Sequence, residues 1–537
     1  MSVSYDGIIL GAGHNALVLH AYLARSGLRV IVLDRAPMPG GGLITEENPR
    51  VPGFFHNTHS FFHRAITTAP WYRDLELERH GARYIEPELN VAMILGDGRA
   101  LEWWTDLDRT AESFGEFSTK DAAALRRWVT EFRPIVDQIL TVEAQAPPLP
   151  PERRRELLRR SRLGRRLLEV AQLSPVEFVE REFENDAIGA GLLFFNGLRE
   201  IDLRLPGFGH SIPALLAGQH KAQMCIGGSA RLAEALVADI REHGGEVRTS
   251  AGIRAILMRG GRAAGVELDT GERIEARAFV VSGLNPQQTF LELLDADAVP
   301  QNVRERALEF EYNLLAPLFA LNVALDEPPR YKAAEQRPEL ARAFMVILGL
   351  ERFAQFSEIV SAHERGEIPP PVMWGACPTL FDASQASPDK HTAFVWEKLP
   401  YALHGSAANW DAEKEKHARR MLALWSDYAP NLAEGVVLDW FCRSPLDTER
   451  QLPNMRRGDL LVGSFANGQV GYNRPFPGAG EYRAPVEGLY LCGGSTHPGG
   501  NITGLCGYNA AAVIAADLGL RQWWYTRPAE RALDTIE

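Results

Sequence analysis

Residues 5–35 read "YDGIILGAGHNALVLHAYLARSGLRVIVLDR". Gly7 to Leu10 is a short apolar run of the kind found in buried strands, and Gly11 to Ala16 is a glycine-rich turn. Leu17 to Ser26 has helical character and meets Gly27 as a C-cap, and Arg29 to Leu33 is a second buried strand ending at Asp34. Strand, turn, helix and strand in this order predict a βαβ unit that binds a dinucleotide. Gly11 permits the tight turn and Gly13 lets the backbone approach a pyrophosphate. Ala16 takes the third glycine place, where the helix packs on the strand. The helix N-terminus, with Asn15 in its first turn, offers free N–H groups and the positive end of a dipole. Asp34, with Arg35 beside it, is placed to bond a ribose hydroxyl.

The next stretch, "DRAPMPGGGLITEE" (34–47), puts Gly40, Gly41 and Gly42 directly after the acidic strand end. A second close backbone approach there favours FAD over NAD. No second GxGxxG follows a strand, so a separate NAD(P)H site is not supported. The expected fold is α/β: an FAD-binding Rossmann domain of the glutathione-reductase type. A β-meander is expected in residues 244–286, where short alternating runs are divided by Gly and Asp-Thr-Gly turns.

Near the other end, "EGLYLCGGSTHPGGNITGLCGYNAAAVIAADLGL" (487–520) holds two cysteines, a histidine and many glycines. Its order suggests a last buried strand, then a turn at Gly493 and Gly494 against the pyrophosphate. A glycine path to Gly504 follows, and then a helix carrying Tyr508 and Asn509. Cys492 and Cys506 stand at opposite ends of this path and read as small packing residues rather than a redox pair. CxxC is absent from the chain, which removes a disulfide-reductase role.

Several pieces together resemble the phytoene desaturase and carotenoid oxidoreductase family of flavoproteins: "GAGHNALV" (11–18), "PGGGLITEE" (39–47), "CIGGSARLAEAL" (225–236), "GVELDTGERIEARAFVVSGLNP" (265–286) and the closing motif. With "NRPFPG" (473–478), the chain looks more like the branch that includes a mitochondrial homologue than like the carotenoid-making desaturases. The resemblance implies FAD held by Gly11, Gly13, Asn15, Ala16, Asp34, Arg35, Gly41, Gly42, Ile253, Gly283, Gly493, Gly494, Gly504, Tyr508 and Asn509. Ile253 would lie at the adenine end, and the helix after Gly504 would face the flavin's anionic edge. Gly42 and Cys225 depart from the family's usual arginine and proline.

The resemblance also implies interleaved domains: a discontinuous FAD domain at 1–75, 215–286 and 451–520, a mixed α+β substrate domain at 76–214 and 287–450, and a C-terminal tail at 521–537. At 537 residues the chain is long enough for two cores. A balance of 57 basic against 69 acidic residues gives a net charge of −12, which argues against nucleic acid as a partner. Five scattered cysteines, no signal-like N-terminus and no long apolar run point to a cytoplasmic protein. Residues 153–168 carry eight arginines among leucines at helical spacing. That pattern suggests a basic amphipathic helix in peripheral contact with a membrane, the alternatives being a solvated helix packed on its domain or a homo-oligomer contact.

The expected reaction is desaturation of an apolar isoprenoid, polyene or alicyclic carbonyl compound, with hydride passing to flavin N5 and oxygen or a quinone as electron acceptor. The neighbouring carbon must also lose a proton, for which His59, Tyr508, His497 and His56 are the candidate groups. His56, His59 and His63 lack a carboxylate cluster and their surroundings read as strand and turn, so no metal is expected. An amine oxidase shares the fold and is the alternative; a non-catalytic carrier on this fold is a remoter one.

Overall fold

The computed structural model describes residues 4–197 and 202–536. Its first sheet is built from strands β1 (Ser4–Leu10), β2 (Val30–Leu33), β3 (Glu246–Arg248), β4 (Ile253–Arg259), β5 (Arg262–Leu268), β6 (Arg273–Ser282) and β7 (Leu489–Leu491). The order β3-β2-β1-β6-β7 is parallel throughout. Such a sheet is covered on both faces, which is why β2 and the second half of β1 are apolar, with Ile8 to Leu10 and Val30 to Leu33 fully buried. Helix α1 (His14–Arg25) packs on one face beside α2 (Leu505–Asp517).

β6 joins two architectures. Its first residues pair antiparallel with β5, and its last three, Val280 to Ser282, pair in parallel with β7. The meander is therefore β4-β5-β6, while β3, which the sequence pattern groups with it, is an edge of the parallel sheet. A second, seven-stranded sheet draws on interleaved stretches, in the spatial order 437–443, 318–325, 391–398, 373–376, 345–348, 89–94 and 100–104. Helix Trp410–Tyr428 covers one face; the other turns Trp374, Trp396 and Met93 toward helices 119–135 and 186–197.

The arginine-rich segment is not one amphipathic helix. It breaks at Ser161 into helices Pro151–Arg160 and Arg162–Val170, with the Ser161 hydroxyl accepting the Gly164 N–H at 2.9 Å. Leu157, Leu158 and Leu167 are buried in the same core as Trp128 and Phe132, so the leucine face is closed to a bilayer. Arg153 and Arg160 pair with Glu530 and Asp534 of the C-terminal helix Ala529–Asp534, and Arg154 and Arg166 with Glu143 and Glu131. Nor is the stretch after 520 a loose tail: Trp523 stacks on Tyr22 at 5.1 Å, and Leu533 is buried in the second core. Among the described residues no helix is long and apolar enough to cross a membrane.

Leu157→Ala should cost about 2–5 kcal/mol of unfolding free energy in denaturant melts, the range for a truncated core leucine. A membrane-facing leucine would leave that stability unchanged.

Candidate functional site

The βαβ turn forms a cradle closed from three parts of the chain. Gly11 adopts φ +84° and donates its N–H to Leu33 at 2.8 Å. Asp34 fixes the turn from the far strand: its two carboxylate oxygens accept the N–H groups of Ala12 at 2.6 Å and Ala36 at 2.8 Å. Burial pushes this carboxyl upward, against the pull of those N–H groups. Arg35 beside it is exposed, and Ile253 is half-buried at the start of β4. The triple glycine folds back onto the cradle, Gly40 donating to the Ala12 carbonyl at 2.7 Å and Gly41, with φ +62°, sitting where a Cβ would lie 3.1 Å from Gly13 Cα. Gly283 and Gly493 close the floor: a Cβ on Gly493 would stand 2.4 Å from the Gly283 carbonyl oxygen. Ala16 meets this floor from the helix side, 3.5 Å from the Cβ position of Gly283.

Gly13 tests whether the cradle fits a nucleotide. Its φ of −68° suits any residue, and a Cβ there would meet no protein atom within 4 Å. Nothing in the protein demands glycine at this place, and α1 has no side-chain N-cap. A pyrophosphate lying against the uncapped first turn would supply the demand, so the residues present fit a dinucleotide.

The closing motif binds to this cradle through its backbone. Gly507 passes so close to α1 that a Cβ would fall 1.8 Å from the Asn15 carbonyl oxygen. Gly504, at φ +66°, precedes the first turn of α2, which has no side-chain N-cap bond, and lies over the ring of Trp71, whose indole N–H donates to the Thr503 carbonyl at 2.7 Å. Gly494 is held by Arg474 of the "NRPFPG" stretch. That fully buried guanidinium donates to the carbonyls of Gly463, Ser464, Gln469 and Gly494.

Between this assembly and the second sheet lies a cavity of about 330 Å³. Gly42, Met455, Leu461 and residues 501–503 line one side, and Leu318, Trp374, Trp396 and Lys398 the sheet side. Residues 59–65 form the remaining wall.

Of the four groups predicted to touch substrate, His59 lies on the cavity wall. Its Nδ1 is 3.0 Å from the Thr58 hydroxyl, its Nε2 has no hydrogen-bond partner, and burial, aided by Arg443, pushes it down to about 3. The other three point elsewhere. His56 stacks edge-on against Phe441 at 5.2 Å. The Tyr508 hydroxyl donates to the Tyr525 carbonyl at 2.9 Å, and its ring packs on Tyr22. His497 donates from Nε2 to the Glu143 carbonyl at 2.8 Å, while Asn509 donates to the carbonyls of Ala144 and Ala146 at 3.0 and 3.2 Å. His497 and Asn509 thus cap the C-terminal end of the helical run 119–144 and clamp the second unit to the first. Sequence reasoning missed Ser60, His63, Trp396 and Lys398 on the cavity wall; the run "FFHNTHSFFH" drew attention to the region, but strand direction decides which of its members face inward.

A glycine cradle that abuts an aromatic-lined cavity defines an oxidoreductase of the dinucleotide-binding α/β class. Residues 9–75 match the family model of the NAD(P)-binding Rossmann-like domain. The chain is 31% identical to a subunit of the limonene dehydrogenase of Castellaniella defragrans, over 98% of this chain and 97% of that protein. It is 23% identical to all-trans-zeta-carotene desaturase of Myxococcus xanthus, covering 97% and 96%. Its fold is that of a putrescine oxidase variant, with a TM-score of 0.63 at 15% identity over 96% of this chain and 99% of that one. The chain belongs to the phytoene desaturase-like family of FAD-dependent oxidoreductases.

Two glycine substitutions should separate ligand contact from packing. Gly13→Ala should cost less than about 1 kcal/mol of stability while weakening cofactor binding at least about tenfold. Gly507→Ala should destabilise the fold itself, by about 3 kcal/mol. Thermal melts with and without added cofactor, together with cofactor titration, read both effects.

Proposed function

We propose that the chain binds FAD and removes two hydrogens from adjacent carbons of a small apolar isoprenoid or alicyclic substrate. The observation that carries this reading is the cavity, walled by Trp374, Trp396, Phe61 and Phe62 and bordered by Gly42 of the triple glycine and by residues 501–503 of the closing motif. The turn Gly11–Asn15 would hold the pyrophosphate, Asp34 the ribose, Ile253 the adenine end, and the uncapped N-terminus of α2 the anionic edge of the ring system. FAD held there would supply the hydride acceptor, with oxygen or a quinone as the electron acceptor. The aromatic walls would orient an apolar substrate and keep water out, and His59 offers a polar contact on one side.

At about 330 Å³ the cavity is near the lower end of ligand pockets, which favours a compact terpenoid over a long polyene. The name of the limonene dehydrogenase relative points the same way. The amine oxidase reading has less support: the described residues lining the cavity include no carboxylate to hold an ammonium group, and Arg64 and Lys398 stand on its wall.

Purified protein should show the yellow flavin spectrum, alone or after adding FAD; a chain unable to take up FAD would instead be a carrier. Anaerobic mixing with limonene and related alicyclic compounds should bleach the flavin, and putrescine should not. Bleaching by amines alone would overturn the desaturase reading.

A further inference from the structure

Dehydrogenation of a C–C bond breaks two C–H bonds. One hydrogen leaves with its electron pair as hydride to the oxidised flavin; the other leaves as a proton, its electron pair becoming the new C=C bond. The cavity wall holds a connected set of groups suited to that proton. Ser60 and His63 both line the cavity, with Ser60 Oγ 3.0 Å from His63 Nε2. On the far side of the imidazole, His63 Nδ1 is 2.6 Å from the Tyr84 hydroxyl.

This alignment is a product of sheet pairing. His63–Arg64, Ala222–Cys225 and Tyr84–Ile85 form a small three-stranded antiparallel sheet. His63 stands opposite Gln223 and Tyr84 opposite Cys225, two residues apart on the central strand, so both side chains share one face. Their rings lie 5.6 Å apart. Ser60 and His63 are buried and Tyr84 is half-buried, with its hydroxyl also in hydrogen-bond contact with Cys225 on the central strand, so the groups form one connected chain leading away from the cavity. His59 has no such route: its Nδ1 meets the adjacent, buried Thr58 hydroxyl, and its Nε2 is bonded to nothing.

We propose that Ser60, His63 and Tyr84 form the relay that takes the proton from the substrate, with Ser60 the group in contact with it. The inference rests on the desaturase reading above. As the C–H proton reaches Ser60 Oγ, the serine's own proton passes to His63 Nε2. The imidazole carries its resting proton on Nδ1, directed at the Tyr84 oxygen, so the proton received on Nε2 is held as an imidazolium hydrogen-bonded to Tyr84. Burial keeps the resting imidazole neutral, pushing it down to about 3, so the Nε2 lone pair is available at physiological pH.

The test combines two measurements on the full chain. In anaerobic stopped-flow with a bleaching terpenoid, His63→Gln and Ser60→Ala should slow flavin reduction by about 10²–10⁴-fold, the range for a lost general base, with the flavin content and resting spectrum unchanged. Tyr84→Phe should slow it by roughly tenfold, and His59→Gln by less than His63→Gln does. Native-like reduction in both His63→Gln and Ser60→Ala, or a loss concentrated in His59→Gln, would overturn the relay. Independently of any substrate, ¹⁵N-histidine NMR should show His63 protonated on Nδ1, with a signal that moves in Tyr84→Phe. A proton on Nε2, or a signal indifferent to Tyr84→Phe, would also overturn it. Because the NMR arm needs no turnover, a native protein that no terpenoid bleaches would count against the desaturase reading alone.

Discussion

The contact between Gly507 and the Asn15 carbonyl sets the frame of the molecule. With no room for even a methyl group between them, α1 and α2 are locked backbone to backbone, and packed interiors do not yield by an ångström without loss. The lock places the uncapped start of α2 beside the turn whose amides form the cradle. Trp71 then fixes Gly504 from below, and Arg474 holds Gly494 from the side. His497 and Asn509 carry the same frame across to the end of the helical run 119–144. The cradle and the cavity are thus parts of one rigid construction rather than of two units that happen to meet.

That dependence explains what could be read in the sequence. The cradle is local chemistry: glycines at 11 and 13, an acid at 34 and the triple glycine at 40–42 declare themselves by spacing, and each lies in the turn where spacing put it. The cavity is not local. Its wall takes Gly42, residues 59–65, Leu318, Trp374, Trp396, Met455 and residues 501–503 from stretches that meet only when the second sheet docks. Tyr508 and His497 illustrate the gap: their motif places them along the closing glycine path, but only packing shows that one bonds to Tyr525 and the other to Glu143. The arginine-rich stretch misleads for a related reason. A helical wheel assumes one continuous helix, and the hydrogen bond of Ser161 to Gly164 ends that assumption halfway.

The cavity divides its chemistry between two walls. The sheet side contributes Trp374 and Trp396, perpendicular to each other at 5.8 Å, which offer area and shape. The segment 59–65 contributes His59, Ser60 and His63, groups able to hold or move a proton, set among Phe61 and Phe62. Burial keeps these histidines uncharged, so an apolar guest meets no full charge from them.

The order of the strands also has a consequence for biosynthesis. β1 and β2 leave the ribosome first, but their parallel partner β6 follows some 240 residues later and β7 more than 450 residues after β2. Until Gly493, Gly504 and Gly507 have emerged, the nascent chain exposes a half-built sheet and a cradle without its floor. The complete cradle can therefore form only after nearly the whole chain has been made.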